Sequence, residues 1–281
     1  MKLTDRVAIV TGGGRGIGKA IALAFAREGA HLVLSSRTLS EAQATAAEAR
    51  AIGQRALAMK VDVSERQEVE AMVAAALAKF GGIDILVNNA AVQPPIGPLW
   101  ENDPDEWLRA VLINLGGVFL CCQAVLPIMI RQGAGKIINL SGGGATSPRP
   151  FFSAYAASKA AIVRLTETLA EEVKQHNIQV NAIAPGPVNT RMTEQVLAAG
   201  SAAGEEILAR TRREKETGGV PPERAAALAL FLASDESDGL TGRLISAVWD
   251  DWRSLASCLE EVMATELYTL RRITRDTVGR G

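Results

Sequence analysis

The sequence predicts an α/β fold, a doubly wound parallel sheet of seven strands with helices on both faces. Three observations carry that prediction. Short runs rich in β-branched residues alternate with longer stretches of helical periodicity, the pattern of strand–helix–strand units. A glycine cluster separates the first such run from the first helix. No shift in composition interrupts the alternation before about residue 252, so residues 1–252 read as one domain.

Residues 7–10 are the first strand, and glycines lead from it into a helix over residues 16–27. Residues 31–35 form the second strand. Ser40 can cap a helix running through Arg50, and residues 56–61 form the third strand. Ser64 and Gln67 have the spacing of a capping box, opening a helix that ends near Phe80. Residues 83–87 are strand four. Asp103, Pro104 and Glu106 then open a long helix to about Arg131, with proline in the first turn, where its missing N–H costs nothing. Strand five covers residues 136–140, a helix follows over 154–175, and strand six covers 178–183. A polar, glycine-bearing stretch over 187–222 holds short helical pieces. A helix over 222–233 and a seventh strand over 243–248 complete the unit. Residues 253–281 form a helical extension, with Leu255, Leu259, Val262 and Met263 at helical spacing, packed on the domain or on a neighbouring subunit.

The composition narrows the function classes. Of 281 residues, 48% are apolar and 22% charged, enough to bury a real core. A formal net charge of -1 offers no electrostatic case for nucleic acid or a membrane surface. No run of 18 or more uncharged apolar residues is present, so no membrane span is expected. The opening residues lack a secretion signal, and a cytoplasmic location is expected. Cys121, Cys122 and Cys258 make neither a C-x-x-C pair nor a metal-spaced cluster, and there are only two histidines, so no metal site is expected.

The glycine cluster reads Thr11-Gly12-Gly13-Gly14-Arg15-Gly16-Ile17-Gly18. A parallel sheet binds nucleotide at the carboxyl ends of its strands. Glycines there let the backbone approach a pyrophosphate, and the following helix contributes N–H groups and positive dipole. An acidic residue at the end of the second strand would bind a ribose 2′-hydroxyl and repel a 2′-phosphate. Here that strand ends in Ser36 and Arg37, a hydroxyl and a guanidinium suited to phosphate, and Arg15 in the turn is a second partner. These residues predict NADP(H) in preference to NAD(H).

Four motifs in order, Thr11–Gly18 at the first turn, Asn88-Asn89-Ala90-Ala91 after strand four, Tyr155-Ala156-Ala157-Ser158-Lys159, and Pro185-Gly186 after strand six, resemble those of the short-chain dehydrogenase/reductase family. The resemblance runs to about Gly242 and is strongest to the 3-oxoacyl-carrier-protein-reductase-like subgroup, with the C-terminal extension as an unusual addition. It implies a Rossmann-like fold and hydride transfer between a nicotinamide and a carbonyl or alcohol carbon. It also implies that Asp62 and Val63 flank the adenine and that Asn89 and Ala90 make room for a ribose. Val188 and Thr190 then fall where the family contacts the carboxamide and pyrophosphate.

Hydride transfer to a carbonyl needs a proton donor at the developing alkoxide. Tyr155 and Lys159, at i and i+4, share one helix face, and an ammonium beside a phenol favours the phenolate. The resemblance makes Tyr155 the acid/base, Lys159 its tuning partner and a ribose ligand, and Asn114 the support of a proton relay. The family's substrate-orienting serine usually stands 13 positions before the tyrosine, where this chain has Gly142. Ser141 is the nearest hydroxyl, and the glycines after it permit a bulge that could re-aim it, so Ser141 is expected to steady the substrate oxygen. Ser147 and Ser153 are further candidates.

Trp249 and Trp252, with Asp250 and Asp251, either anchor the tail or line a substrate pocket, while residues 187–222 are the expected lid. Arg149, Met192 and Arg191 are natural pocket walls. Two other readings stand beside the oxidoreductase: a nucleotide-binding protein with little turnover, and a sugar-nucleotide-modifying enzyme on the same scaffold. The resemblance further implies a homotetramer or homodimer built through the long helices at Pro104 and Ala154.

Overall fold

A computed structural model describes residues 1–274 of the chain. Seven parallel strands form one sheet in the order β3-β2-β1-β4-β5-β6-β7. They are β1 (Val7–Thr11), β2 (His31–Ser36), β3 (Ala56–Lys60), β4 (Ile85–Asn88), β5 (Gly135–Leu140), β6 (Ile178–Ala184) and β7 (Leu244–Ser246). The chain winds outward from β1 to β3, returns to β4 on the other side of β1, and continues to β7. That reversal between β1 and β4 opens a crevice at the carboxyl ends of the strands, the place where such sheets bind ligands.

Helices α1 (Gly16–Arg27), α2 (Leu39–Ala51), α3 (Arg66–Phe80), α4 (Pro104–Val111), α5 (Gly117–Gln132) and α6 (Ser153–Glu172) connect the strands. The strand periodicity of two divides the core. Ala8 and Val10 face one layer, with Phe25 of α1 and Ala46 of α2, while Ile9 faces the other, with Met72 of α3 and Val125 of α5. Strand residues buried on both faces explain why each run reads as continuously apolar. Cys121 and Cys122 are buried in the second layer, and burial pushes the Cys122 thiol up to about 12.

The long helix opened by Pro104 is capped as expected, Asp103 accepting from the Glu106 amide at 2.9 Å. It is interrupted by a π-helical turn over Leu112–Gly116, which the sequence pattern does not reveal. The whole span Pro104–Gln132 is long and apolar enough to cross a membrane by length and composition alone. In this fold its Cys121, Val125 and Met129 face is buried against the sheet. The expected capping box at Ser64 is absent. The Ser64 hydroxyl instead donates to Asp62 Oδ1 at 2.6 Å, and no side chain caps α3. Ser40 likewise lies inside α2, with Thr38 at the cap position and no side-chain cap bond.

After β6 come α7 (Arg191–Ala199), α8 (Glu205–Glu216) and α9 (Pro222–Ala233). The expected C-terminal helix is shorter and broken: a 3-10 segment over Trp252–Ser257, then α10 (Leu259–Ala264), with residues 275–281 outside the described ones. Ser254 and Ser257 bond back to nearby carbonyls and compete with a continuous α-helix. Leu255 and Val262 pack into the α1/α9 layer, and Trp252 lies 5.8 Å from Phe231, centroid to centroid. Trp252 thus anchors the tail, and Trp249 is exposed. Neither lines the cleft described below.

Candidate active site

The glycine turn is built between β1 and α1 and tied to β4. Asn89 Nδ2 donates to the carbonyl oxygens of Thr11 (2.9 Å) and Gly12 (3.2 Å), while the Asn89 and Ala90 amides donate to Thr11 Oγ1 at 3.0 and 3.1 Å. The helix begins flush against the turn: a Cβ at Gly18 would stand 2.3 Å from the Gly12 carbonyl oxygen. Only glycine permits that approach. No side chain caps α1, so its first amides keep donor capacity at the positive end of the helix dipole.

A cleft of about 470 Å³ opens over this turn. It is lined by Gly12, Arg15, Gly16 and Ile17 from the turn, Ser36 and Arg37 from the end of β2, Asp62 and Val63 beyond β3, Asn89 and Ala90 beyond β4, and Thr190. Thr190 caps α7, accepting from the Met192 amide at 3.2 Å. A glycine cradle, an uncapped helix N-terminus, two arginines and a carboxylate at the far end fit a dinucleotide and its phosphates. Burial raises the Asp62 carboxyl, but bonds from the Ser64 hydroxyl and amide and the charges of Arg37 and Arg109 outweigh it and hold the group below its ordinary value.

One charged wall was not expected. Glu41, in the first turn of α2, accepts from Arg15 Nη1 at 3.0 Å and from the Ser36 hydroxyl at 3.4 Å. It places a carboxylate beside the two residues read as phosphate ligands. An acidic residue a few positions past the strand end was the available signal. The fold makes it count, because Gly14 lets α2 come down on the turn: a Cβ there would lie 2.7 Å from Glu41 Cβ.

The second cluster lies deeper, where β5 meets α6. Tyr155 and Lys159 share one buried face of α6, the Lys159 ammonium standing 5.5 Å from the Tyr155 ring centroid. Lys159 Nζ donates to the Leu140 carbonyl oxygen at 2.6 Å. Burial lowers the Lys159 ammonium to about 8 and raises the Tyr155 phenol, the latter opposed by the charge of Arg149. Asn114 sits at the π-helical turn, fully buried. Its Oδ1 accepts from the Val92 amide (2.8 Å), and its Nδ2 donates to the Val92 carbonyl (2.9 Å) and to Ser158 Oγ (3.0 Å). π-helical turns of this kind are rare and recur at functional sites. A buried polar chain that sequence reading passed over braces the same region: Asn88 donates to Asn139, and Asn139 to Thr166 on α6, each at 2.9 Å.

Ser141 is not brought to the tyrosyl oxygen as expected. Ser141 is buried, and its hydroxyl donates to the Lys159 carbonyl at 3.2 Å, so the glycines after it do not turn it back toward Tyr155. The backbone beside the phenol is Gly142, where a Cβ would lie 2.7 Å from Tyr155 Oη. Ser153 accepts from Trp107 Nε1 at 2.9 Å, and Ser147 is exposed.

Of the other expected cofactor residues, Gly18, Tyr155, Lys159, Pro185, Gly186 and Val188 do not line the open cleft. Gly18 abuts the Gly12 carbonyl behind the turn, and the Val188 amide donates to the Gly186 carbonyl at 3.0 Å, Gly186 itself packing against Val248. Tyr155 is covered: Phe152, Val196, Ala203 and Ile207, with Met192 and Ile96 beside them, pack around it from α7, α8 and the loop after β4. The 187–222 segment therefore lies closed over the tyrosine in this conformation.

A family model described as short chain dehydrogenase matches residues 6–200. The chain is 40% identical over 246 residues to "Short chain dehydrogenase/reductase astE" of Aspergillus oryzae, covering 87% of this chain and 94% of that protein. It is 35% identical over 251 residues to the 3-oxoacyl-[acyl-carrier-protein] reductase FabG of Thermotoga maritima, covering 87% and 97%. Among solved structures, an NAD+-bound xylitol dehydrogenase superposes with a TM-score of 0.82 at 30% identity, over 88% of this chain and 98% of that one.

Proposed function

The chain belongs to the short-chain dehydrogenase family, and on that premise we propose that it is an NADP(H)-dependent oxidoreductase acting on a carbonyl/alcohol pair. The single observation that carries the cofactor reading is the end of β2, where Ser36 and Arg37 face the cleft and no acid occupies the strand terminus. A guanidinium there suits a 2′-phosphate. Gly12 through Ile17 would hold the pyrophosphate, Asp62 and Val63 the adenine, and Lys159 the nicotinamide ribose. When bound, the nicotinamide supplies or accepts the hydride.

In this reading Tyr155 Oη gives its proton to the substrate oxygen in reduction and takes it back in oxidation. Lys159 keeps a positive charge beside the phenol below pH of about 8, favouring the phenolate that proton transfer leaves. Asn114, through Val92 and Ser158, holds the wall against which that exchange takes place. Exposed Leu108, Leu112 and Phe119, at 60, 51 and 49% exposure along the α4–α5 helix, support assembly of copies through that face as a homodimer or homotetramer.

NAD(H) is the second reading, favoured by Glu41, whose carboxylate could accept from a ribose hydroxyl near Ser36. Fluorescence titration with NADPH and NADH separates the two. Arg37→Ala should weaken NADPH binding by about tenfold or more, the range of a charge-assisted hydrogen bond, and leave NADH binding unchanged. Equal affinity for both nucleotides, insensitive to Arg37, would overturn the NADP(H) assignment.

A further inference from the structure

Reduction of a carbonyl drives negative charge onto its oxygen, and a site that stabilises it aims more than one donor at that position. Tyr155 Oη is one. Neither of the two residues that follow β5 supplies another: Gly142 has no side chain, and the Ser141 hydroxyl is committed to the Lys159 carbonyl. One half-buried cation does stand there. The guanidinium of Arg149 lies 4.2 Å from the Phe152 ring centroid and 5.2 Å from that of Tyr155. Its Nη1 comes within 3.5 Å of where a Cβ at Gly143 would be, one residue from the glycine that adjoins the phenol oxygen.

The rest of its surroundings leave this cation uncommitted. Gln93, oriented by its hydrogen-bonding neighbours, accepts from Arg149 Nη2 at 3.1 Å and donates to the Met192 carbonyl at 3.0 Å, which fixes the fork from the β4 and α7 sides. Arg149 Nε is buried without a partner. Among the described residues no carboxylate lies within ion-pair distance of it. Glu214 and Arg210 of α8 act on it only through space and with opposite sign. A half-buried guanidinium held by an amide, lying over two rings and lacking a counterion, is poised for an anion that arises beside it.

We propose that Arg149 donates a hydrogen bond to the reacting oxygen of the substrate, supplying from the loop before α6 the second donor that the segment after β5 lacks. The proposal rests on the hydride-transfer reading of the site. In the step, the carbonyl carbon gains a hydride, its π pair moves onto oxygen, and that oxygen takes the Tyr155 hydroxyl proton. Arg149 gains and loses nothing; it lowers the energy of the oxygen's charge and of the phenolate left behind.

The chain's two tyrosines, Tyr155 and Tyr268, make a substrate-free test possible. In Tyr268→Phe protein, biosynthetic fluorotyrosine labels position 155 alone, and fluorine NMR follows its ionisation in the folded state. Arg149→Gln should raise that midpoint by about one pH unit, as expected for loss of an opposite charge near the ring. Arg149→Lys, which keeps the charge and most of the stem, should shift it less and covers the case in which the glutamine variant does not fold.

With NADPH and the neutral ketones diacetyl and ethyl acetoacetate, Arg149→Gln should lower kcat by about 10²- to 10³-fold with little change in KM. Unmoved ionisation in both variants would overturn the proposal. So would a loss confined to KM for an α-keto acid with neutral ketones unaffected, since Arg149 would then read a substrate carboxylate. NADPH titration of the same proteins keeps the outcomes separate: failure of the wild type to bind NADPH sinks the cofactor reading, while the fluorine titration still decides the place of Arg149.

Discussion

The Lys159 ammonium donates to the Leu140 carbonyl oxygen across 2.6 Å, joining helix α6 to the carboxyl end of β5. The bond fixes the cation in the interior, where burial brings its pKa from 10.5 to about 8. The unfolded chain therefore binds this proton more tightly than the folded one. Stability contributed by this position rises with pH between about 8 and 10.5, and the cost of the buried charge is fully present below 8. Lys159→Met should abolish turnover and stabilise the fold by on the order of 1–2 kcal/mol at neutral pH, after allowance for the lost bond to Leu140. The gain should shrink as pH climbs through that window. Thermal melts of both proteins at neutral and alkaline pH check the sign; a difference that grows with pH contradicts it.

Ser141→Ala removes one buried hydroxyl bonded to the Lys159 carbonyl. The expected cost is about 1 kcal/mol of stability, the usual net worth of such a bond, with turnover changed by no more than about twofold. Urea unfolding and steady-state kinetics measure the two effects on one preparation. A large loss of kcat would return Ser141 to the substrate oxygen.

Asn114→Ala leaves the Val92 amide and carbonyl, part-buried at the wall of the cleft, without their side-chain partner. Stability should fall by about 1–2 kcal/mol, since water in the cleft can replace part of what the amide supplied. Protection of the Val92 amide from hydrogen exchange should fall with it.

Glu41 competes for Arg15 and Ser36. Glu41→Gln should strengthen NADPH binding by about twofold to fivefold, the range of a partly exposed ion pair, and weaken NADH binding. Isothermal titration with both nucleotides reads the ratio directly, and an unchanged ratio removes Glu41 from cofactor choice.

Leu112 and Phe119 present exposed apolar surface along one helix. If copies assemble through it, Leu112→Glu with Phe119→Glu should yield monomer in light scattering, while either wild-type oligomer keeps its mass. Unaltered mass in the double variant would move the interface elsewhere.

Much of this molecule was legible in its amino acids because the signals are local. Short β-branched apolar runs specify strands, and glycines between a strand and a helix specify a turn that a phosphate can approach. All seven strands lie within a residue or two of where that pattern places them, and Tyr155 and Lys159 share a face because i and i+4 always do. Tertiary structure decided what depends on packing between distant segments. Glu41 reaches the cleft only because α2 descends on Gly14, and the partners of Asn114, Val92 and Ser158, lie 22 and 44 residues away in the chain. The direction of the Ser141 hydroxyl was settled by a carbonyl 18 residues away on α6. A side chain's type is written in the sequence, but which of its possible partners it meets is a property of the assembled core, where every buried polar group must find one.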